Sequence, residues 1–541
     1  MKIICITITG LLIWGVQDSL LAQTFSLSAH EVHPIATTYF EPSIAAAQDG
    51  GLYAVSTLFQ SVPLIIATDT IVTEFDRSVY MAKYDSNLGL EWITILAEND
   101  FNTGGGILVP RVYNDDVGNI YVAINFYETL YFFGDSAGGE DFYGLQILKM
   151  DPNGILLWAE TIEHAWITEN GLVVNGSGDI FITARMDQQV ITMGYTDVGS
   201  LIWTQSVFGL EDFEKPWGIA LDGNSNVYVT ASITASNNVY LDGQQVIFQP
   251  EANDASLLIK YDPSGVLEWY RILYAIEAES IALALACDAS NNVVLVGAYT
   301  DSLLYFSNGI SPVGQQEAGR SSSFNVTFSG AGDRLGFTTT PSLDYGNDYA
   351  ANIAILNENR VVITMFEEAL STGNDTLISA GIYDFAIQLM DPYGTSLRTT
   401  HVAGSSSWER PTDLVTMNGA IYVAGVSESH NLSVDSVNIA NYSGDKAFIL
   451  KLTQDPIGIA EELLAPDLHI YPNPSNGSFT VHGLTAVSSY TITDLAGRTL
   501  ATGRTNANGL TEIRMPSEMR GAFLIRFDQL GQQITRKVIV Q

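Results

Sequence analysis

Short apolar runs rich in Val, Ile and Tyr, broken by Gly, Asn, Asp and Pro, follow one another along most of the chain, the pattern of β-strands joined by turns. One run recurs: Gly51-Leu52-Tyr53-Ala54-Val55, Asn119-Ile120-Tyr121-Val122-Ala123, Asp179-Ile180-Phe181-Ile182-Thr183, Asn226-Val227-Tyr228-Val229-Thr230, Asn292-Val293-Val294-Leu295-Val296, Arg360-Val361-Val362-Ile363-Thr364 and Ala420-Ile421-Tyr422-Val423-Ala424. Its third position steps by 68, 60, 47, 66, 68 and 60 residues, a repeat period long enough for one supersecondary unit per copy. A second pattern follows each copy. Ala82-Lys83-Tyr84-Asp85 leads to Trp92, Leu148-Lys149-Met150-Asp151 to Trp158, and Ile259-Lys260-Tyr261-Asp262 to Trp269. Degenerate versions end at Trp203, Phe337 and Arg398, and a truncated one at Lys451. Pro42, Pro110, Pro216 and Pro411 stand 11 or 12 residues before that third position.

Each unit reads as four strands. In the fourth they are Gly218–Leu221, Asn226–Ser232, Ser256–Tyr261 and Val266–Leu273, joined at the two ends by the turn sequences Asp-Gly-Asn-Ser-Asn and Asp-Pro-Ser-Gly. Four strands repeated seven times is the arithmetic of a seven-bladed β-propeller over residues 24–455. The Lys-Tyr-Asp-x-x-Gly-x-x-x-Trp unit resembles the bacterial seven-bladed β-propeller repeat family. The seventh unit stops at its third strand, Ala447–Leu452, while an orphan strand, Phe25–His30, precedes the first. Pairing the two is expected to close the ring and remove an open edge.

The end of the chain changes character after a linker at 456–466. Residues 467–541 hold seven basic and five acidic side chains, so this segment is +2 and the rest of the chain −39. Short alternating strands there predict a small Ig-like β-sandwich, so the whole chain is expected to be all-β. Tyr471-Pro472-Asn473-Pro474, Asn476-Gly477, Phe479, Asp494-Leu495-Ala496-Gly497-Arg498, Gly521 and the terminal Lys537-Val538-Ile539-Val540 resemble the type A C-terminal sorting domain of the type IX secretion system of Bacteroidetes-type bacteria. The resemblance implies recognition by that secretion machinery, carriage through the periplasm, and release or attachment at the outer surface. At the other end, Lys2, the apolar run Ile3–Val16 and Ser19-Leu20-Leu21-Ala22 read as a signal peptide over residues 1–22.

Composition narrows the function. With 23 basic against 60 acidic residues the formal net charge is −37, which excludes nucleic acid as a first partner and disfavours anionic membranes. No later stretch reaches membrane-spanning length without charges. Of two cysteines, Cys5 falls in the leader, so Cys287 has no intrachain partner and reads as core packing. No Gly-x-Ser-x-Gly elbow or helix-borne Ser-x-x-Lys pair appears, and His30 with His33 reads as strand and loop rather than a metal pair. Asp222-Gly223-Asn224-Ser225-Asn226 offers oxygens of the kind calcium takes, but it lacks a distal bidentate acid and suits a plain turn; no cofactor is expected, with calcium the one candidate left.

Loop length carries the remaining information. Long segments (Ser61–Arg77, Glu128–Tyr143, Ser236–Ala255, Asp301–Ser323, Glu367–Tyr383 and Glu428–Lys446) share one face with the inter-blade loops, and such loops on a rigid scaffold are where binding residues collect. The expected ligand contacts are Trp166, Trp217 and Trp408 between blades and Tyr240 and Tyr305 on the long segments, for a glycan or protein ligand. The expected function is a binding or adhesion module. The alternatives are a polysaccharide-active enzyme with carboxylates converging at the channel mouth, and a structural surface component.

Overall fold

A computed structural model describes residues 25–454 and 469–540, apart from 35–40, 60–63, 67–68, 72, 74, 76, 100–108, 188, 209–215, 235–238, 242, 247–251, 277, 301–302, 308–311, 314–320, 341–342, 344–346, 373–375, 436, 442–444, 483–488, 495–497, 506–509, 516–518 and 530–531. The leader, the linker and Gly497 of the sorting motif therefore lie outside the described residues. The chain divides into two compact units, residues 1–454 and 455–541. No helix of the described residues is long and apolar enough to cross a membrane.

The first unit is built from antiparallel strands in a four-strand cycle. Pro216–Leu221 pairs with Val227–Thr234, that with Ala252–Tyr261, and that with Leu267–Ile276, each strand beside its sequence neighbour. Ser280–Cys287, Val293–Tyr299, Ser322–Phe328 and Arg334–Thr340 repeat the order, as do Tyr349–Leu356, Asn359–Ser371, Thr376–Met390 and Ser396–Gly404. The last set is completed from the other end of the chain. Glu409–Met417, Ala420–Ser427 and Lys446–Gln454 take Phe25–Pro34 as their outer strand, with His30 opposite Leu450.

The sequence motifs turn out to be one cross-strand row. Tyr121 lies opposite Lys149, and Lys149 opposite Trp158; Tyr228, Lys260 and Trp269 repeat this, as do Tyr53, Lys83 and Trp92. The ammonium sits over the Tyr ring, 5.1 Å from the centroid for Lys149 and 5.4 Å for Lys260. Lys and Trp then both donate to a backbone carbonyl in a turn of the following set. Lys149 Nζ and Trp158 Nε1 reach Asp197 O at 2.7 and 3.0 Å, and Lys260 Nζ and Trp269 Nε1 reach Gly330 O at 2.9 and 3.0 Å. Lys451 of the last set donates in the same way to Ser86 O of the first. Thr412 and Asp413 bond Pro42 O and Ser43 Oγ at 2.6 and 2.7 Å, so first and last sets are fastened both by this device and by their first strands.

Where they are described, the long segments run largely as paired strands rather than as free loops, which corrects the expectation drawn from their length. Glu128–Tyr143 mostly extends the hairpin of Ile120–Phe132 and Asp135–Met150. Several segments pair with the outer strand of the preceding set: Leu130–Phe132 with Ala97–Asn99, Tyr240–Leu241 with Val207–Phe208, Tyr305–Phe306 with Leu273–Tyr274, and Leu432–Val434 with Val402–Gly404. An outer strand otherwise shows a row of unpaired N–H and C=O groups, and these additions cover it.

The second unit holds a three-stranded sheet (His469–Tyr471, Ser478–His482, Leu510–Arg514) and a four-stranded one in the order Thr499–Arg504, Ser489–Thr493, Gly521–Gln529, Gln532–Val540. Phe479, Val481, Ile492, Ile513, Ile525, Phe527 and Val538 form a single core. Thr499–Arg504 alternates only weakly in sequence, because Thr, Ala and Gly fill most of it. The bonds before Pro472 and Pro474 are cis.

Candidate functional site

The first strands of successive sets converge on a cavity of about 950 Å³. Glu41, Val109, Arg111, Asn170, Trp217, Ile281, Tyr349 and Arg410 line it from the start of those strands. It opens on the strand ends that carry the inserted hairpins. The Asp turns sit at the opposite ends: in Val109–Asn114, Val109 and Arg111 face the cavity, whereas Asn114 leads into the turn at Asp115.

One wall is aromatic. Trp166 lies tilted against Tyr127 with ring centroids 5.3 Å apart, Tyr127 is 6.1 Å from Tyr143, and Tyr143 stacks on His164 at 4.9 Å and 11°. Asp187 ties the ledge together, 3.4 Å from the Tyr143 hydroxyl and 3.5 Å from His164 Nδ1. Tyr127 and His164 are exposed and Trp166 and Tyr143 half-buried, so ring faces meet water inside a concave site. Sugar rings and other flat groups with apolar faces stack on such surfaces. The wall formed by Trp217, Ile281, Leu283, Tyr349, Ala351 and Met365 is more apolar.

An ionic cluster borders these walls. Glu41 bridges two guanidiniums, Arg111 Nη2 at 3.0 Å and Arg410 Nη2 at 2.8 Å, and Glu169 lies 4.0 Å from Arg111. Surrounding protein and the neighbouring Glu41 push the Glu169 carboxyl up from the ordinary carboxylate range to about 7, against the pull of Arg111 and Arg410. Its side chain is still 48% exposed within the cavity, so water there offsets part of the burial effect. A second polar cluster is enclosed between sets. Glu409 and Asp384 are fully buried, Asp384 Oδ2 is 2.9 Å from His401 Nε2, and Ser427 donates to Glu409 at 2.9 Å. Burial pushes Glu409 up to about 7, with Asp384 adding to the shift.

Of the expected contacts, Trp166 and Trp217 line the cavity. Trp408, Tyr240 and Tyr305 are not among its lining residues. Trp408 packs on Tyr383 at 4.6 Å, Tyr240 belongs to a hairpin on an outer strand, and Tyr305 stacks on Tyr274 at 5.4 Å on another. Sequence reasoning missed Glu41, Glu169, Arg111 and Arg410. A signal existed: Glu41-Pro42, Pro110-Arg111 and Arg410-Pro411 put charges beside the recurrent Pro of otherwise apolar strands.

The Asp-rich turns close on themselves. Asp222 Oδ1 accepts from the backbone N–H of Asn224 and Asn226, and Oδ2 from Asn226 Nδ2 and the Tyr228 hydroxyl. Asp115 repeats this with Val117, Asn119 and Tyr121. Among the described residues no group of three or more His, Cys, Asp or Glu is placed to hold a metal ion. Cys287 is partly buried and burial raises its thiol far above the ordinary range, which disfavours the reactive thiolate.

In the second unit the sorting motif grips the last strand. Asn473 Nδ2 donates to Lys537 O and its Oδ1 accepts from Ile539 N-H, both at 2.8 Å, while Ser475 N–H donates to Ile539 O at 2.8 Å. Tyr471, Pro472 and Pro474 are exposed, and Gly477 takes a φ of +92°. Asp494 accepts from Arg498 through backbone N–H at 2.8 Å and Nε at 3.1 Å.

Comparison with known proteins identifies this unit. The secretion system C-terminal sorting domain family matches residues 469–541. The tail marks the chain for export through the type IX system to the cell surface or the medium. Over 143 residues, a quarter of its length, the chain is 28% identical to an uncharacterized WD repeat-containing protein of Acanthamoeba polyphaga mimivirus, spanning 10% of that protein. Among solved structures, a protein of unknown function from Dyadobacter fermentans aligns over 80% of this chain and 99% of its own, at 10% identity and a TM-score of 0.35. PorZ, a surface component of the type IX secretion system of Porphyromonas gingivalis, aligns over 92% and 81% at 12% identity and a TM-score of 0.21.

Proposed function

We propose that this exported chain is a seven-bladed β-propeller over residues 24–455, followed by a linker and an Ig-like sorting domain over 467–541, and that it acts as a glycan-binding or adhesion module through its channel mouth. The four-strand cycle, its repeated Tyr–Lys–Trp row and the Lys451–Ser86 contact support the ring. One observation carries the function: a concave cavity of about 950 Å³ whose wall is an accessible ledge of Tyr127, Tyr143, His164 and Trp166. Sites of this volume, largely preformed and mixing aromatic with a few polar groups, suit small ligands or chain ends.

The enzyme reading is favoured by one feature, the Glu41–Glu169 pair at the mouth with one carboxyl raised. The ion pairs argue against it: the Glu41 carboxylate is held by Arg111 at 3.0 Å and Arg410 at 2.8 Å, rather than free to act as nucleophile or base on one side of a glycosidic bond. A glycan array probed with the full chain tests the proposal. Saturable binding to a defined glycan class is expected; no binding across the array, or turnover of the printed glycans, would refute it.

A further inference from the structure

We infer a second site, apart from the channel mouth, in the seam between the sets 280–340 and 349–404: a cleft there takes one small neutral polyhydroxy molecule of the size of a monosaccharide. The cleft exists because the repeated row fails on both sides of it. Tyr228, Lys260 and Trp269 correspond by register to Val294, Thr327 and Gly336 in the next set, and to Val362, Gln388 and Thr399 in the one after. Where the row is complete, Trp269 and Arg271 cover the turn at Gly332 of the following set. Arg271 Nε donates to Gly332 O at 2.8 Å, and its guanidinium lies 5.0 Å from the centre of the Trp269 ring. Gly336 and Thr338 stand in those places beside the turn at Gly394, and a cavity of about 310 Å³ is left.

The wall of the cleft selects the ligand. Ten of the fifteen residues around it are Ser, Thr, Asn or Gln, and none is ionisable. Arg360 crosses the same seam but is already engaged: Nη1 donates to Asn325 Oδ1 at 2.9 Å and Nη2 to Thr327 Oγ1 at 2.8 Å. A charged ligand would lose its hydration here without meeting a counter-ion. Because a guanidinium only donates, the Asn325 oxygen must face it. That turns Nδ2 to the other side, where it meets the Met390 thioether, a weak acceptor, at 3.8 Å. Gln388 is 1% exposed and takes the Thr364 hydroxyl on Oε1 at 2.9 Å; among the described residues nothing accepts from its Nε2. Two buried amides thus line the cleft with donors that have no oxygen acceptor, and a buried donor left unmade is destabilising. Val362, Ala350 and Met390 give the cleft an apolar side. A sugar ring matches both, with hydroxyl oxygens for the amides and a C–H face for the apolar side. The volume lies at the lower end of small-ligand sites, so the cleft admits one ring rather than a chain. Thr338, Thr340 and Ser396, all partly exposed, form its solvent side.

Saturation-transfer NMR titration with glucose, galactose and mannose tests this, using the full chain carrying Trp166→Ala so that the mouth ledge is removed. At least one of the three should bind saturably, and its uronate and amino-sugar derivatives should bind at least about tenfold more weakly. Gly336→Trp has room to refill the cleft, since a Cβ there comes no closer than 3.9 Å to Thr327 Oγ1. Added to that chain, it should abolish binding while the melting temperature holds or rises. Gln388→Met, which removes the free donor at similar volume, should weaken binding about tenfold. No saturable binding of any of the three sugars would leave the cleft to water and overturn the assignment. So would equal affinity for the charged derivatives, or binding that persists in Gly336→Trp. If Gly336→Trp lowers the melting temperature, Gln388→Met decides, and parental affinity in that variant overturns the assignment equally.

Discussion

Lys260 shows how much one residue of the repeat has to do. Its stem crosses from Tyr228 to Trp269, its ammonium sits 5.4 Å from the Tyr228 ring and 2.7 Å from Glu268, and it donates to the next set's turn. Truncating Trp269 to Ala removes ring packing and one inter-set hydrogen bond, and should cost about 3 kcal/mol in a denaturant or thermal melt. The ring contact and the turn Asp were legible as a repeated pattern, because the Tyr–Lys–Trp row recurs in three sets and the turn recurs in more. The mouth residues were harder to read, because a site is made once: Glu41, Arg111 and Arg410 stand beside the recurrent Pro, but the charge there differs from set to set, and Glu169 has no such marker. Glu409 gives a pH test at this scale. Its carboxyl is raised on folding, so the folded chain binds the extra proton and stability should fall as pH rises from about 4.5 to about 7, by at most about 1.4 kcal/mol per unit. Glu409→Gln should flatten that slope in melts across the same range; a slope that survives the substitution would assign it elsewhere.

At the scale of elements, strand positions followed the sequence closely while the insertions did not. The fourth set was read as starting at Gly218, Asn226, Ser256 and Val266, and the strands begin at Pro216, Val227, Ala252 and Leu267. Turn chemistry fixes those boundaries locally. The inserted segments carry turn residues too, Gly134 and Gly243 among them, but their partner is an edge in another set, so length alone suggested free loops. Leu241 is 1% exposed beside Val207, and Leu241→Asp should unpin its hairpin and bare the Leu201–Phe208 edge. Light scattering should then rise at a temperature where the parent chain stays monodisperse. Deleting residues 25–34 strips the outer strand from Lys446–Gln454, along with the partly buried Leu27 and Val32, a loss of about 3 kcal/mol in apolar burial. An unchanged melting temperature would mean that the last set does not depend on this strand.

Across the whole molecule two jobs are divided between two units. The tail carries the address, clamped by Asn473 onto its final strand, and the −39 remainder carries the cavity. Removing residues 467–541 should leave the first unit folded but retained in the periplasm, read by fractionation of the producing cells; surface display of the truncated chain would contradict the division. The central claim is that ligands meet the mouth and not the outer hairpins. Its most direct measurement is glycan affinity, with melting temperature alongside, for Trp166→Ala and Tyr240→Ala. A loss of about tenfold or more for Trp166→Ala at an unchanged melting temperature, with Tyr240→Ala at parental affinity, is the predicted result. Parental affinity in Trp166→Ala with a loss in Tyr240→Ala would place the ligand on the periphery and contradict it.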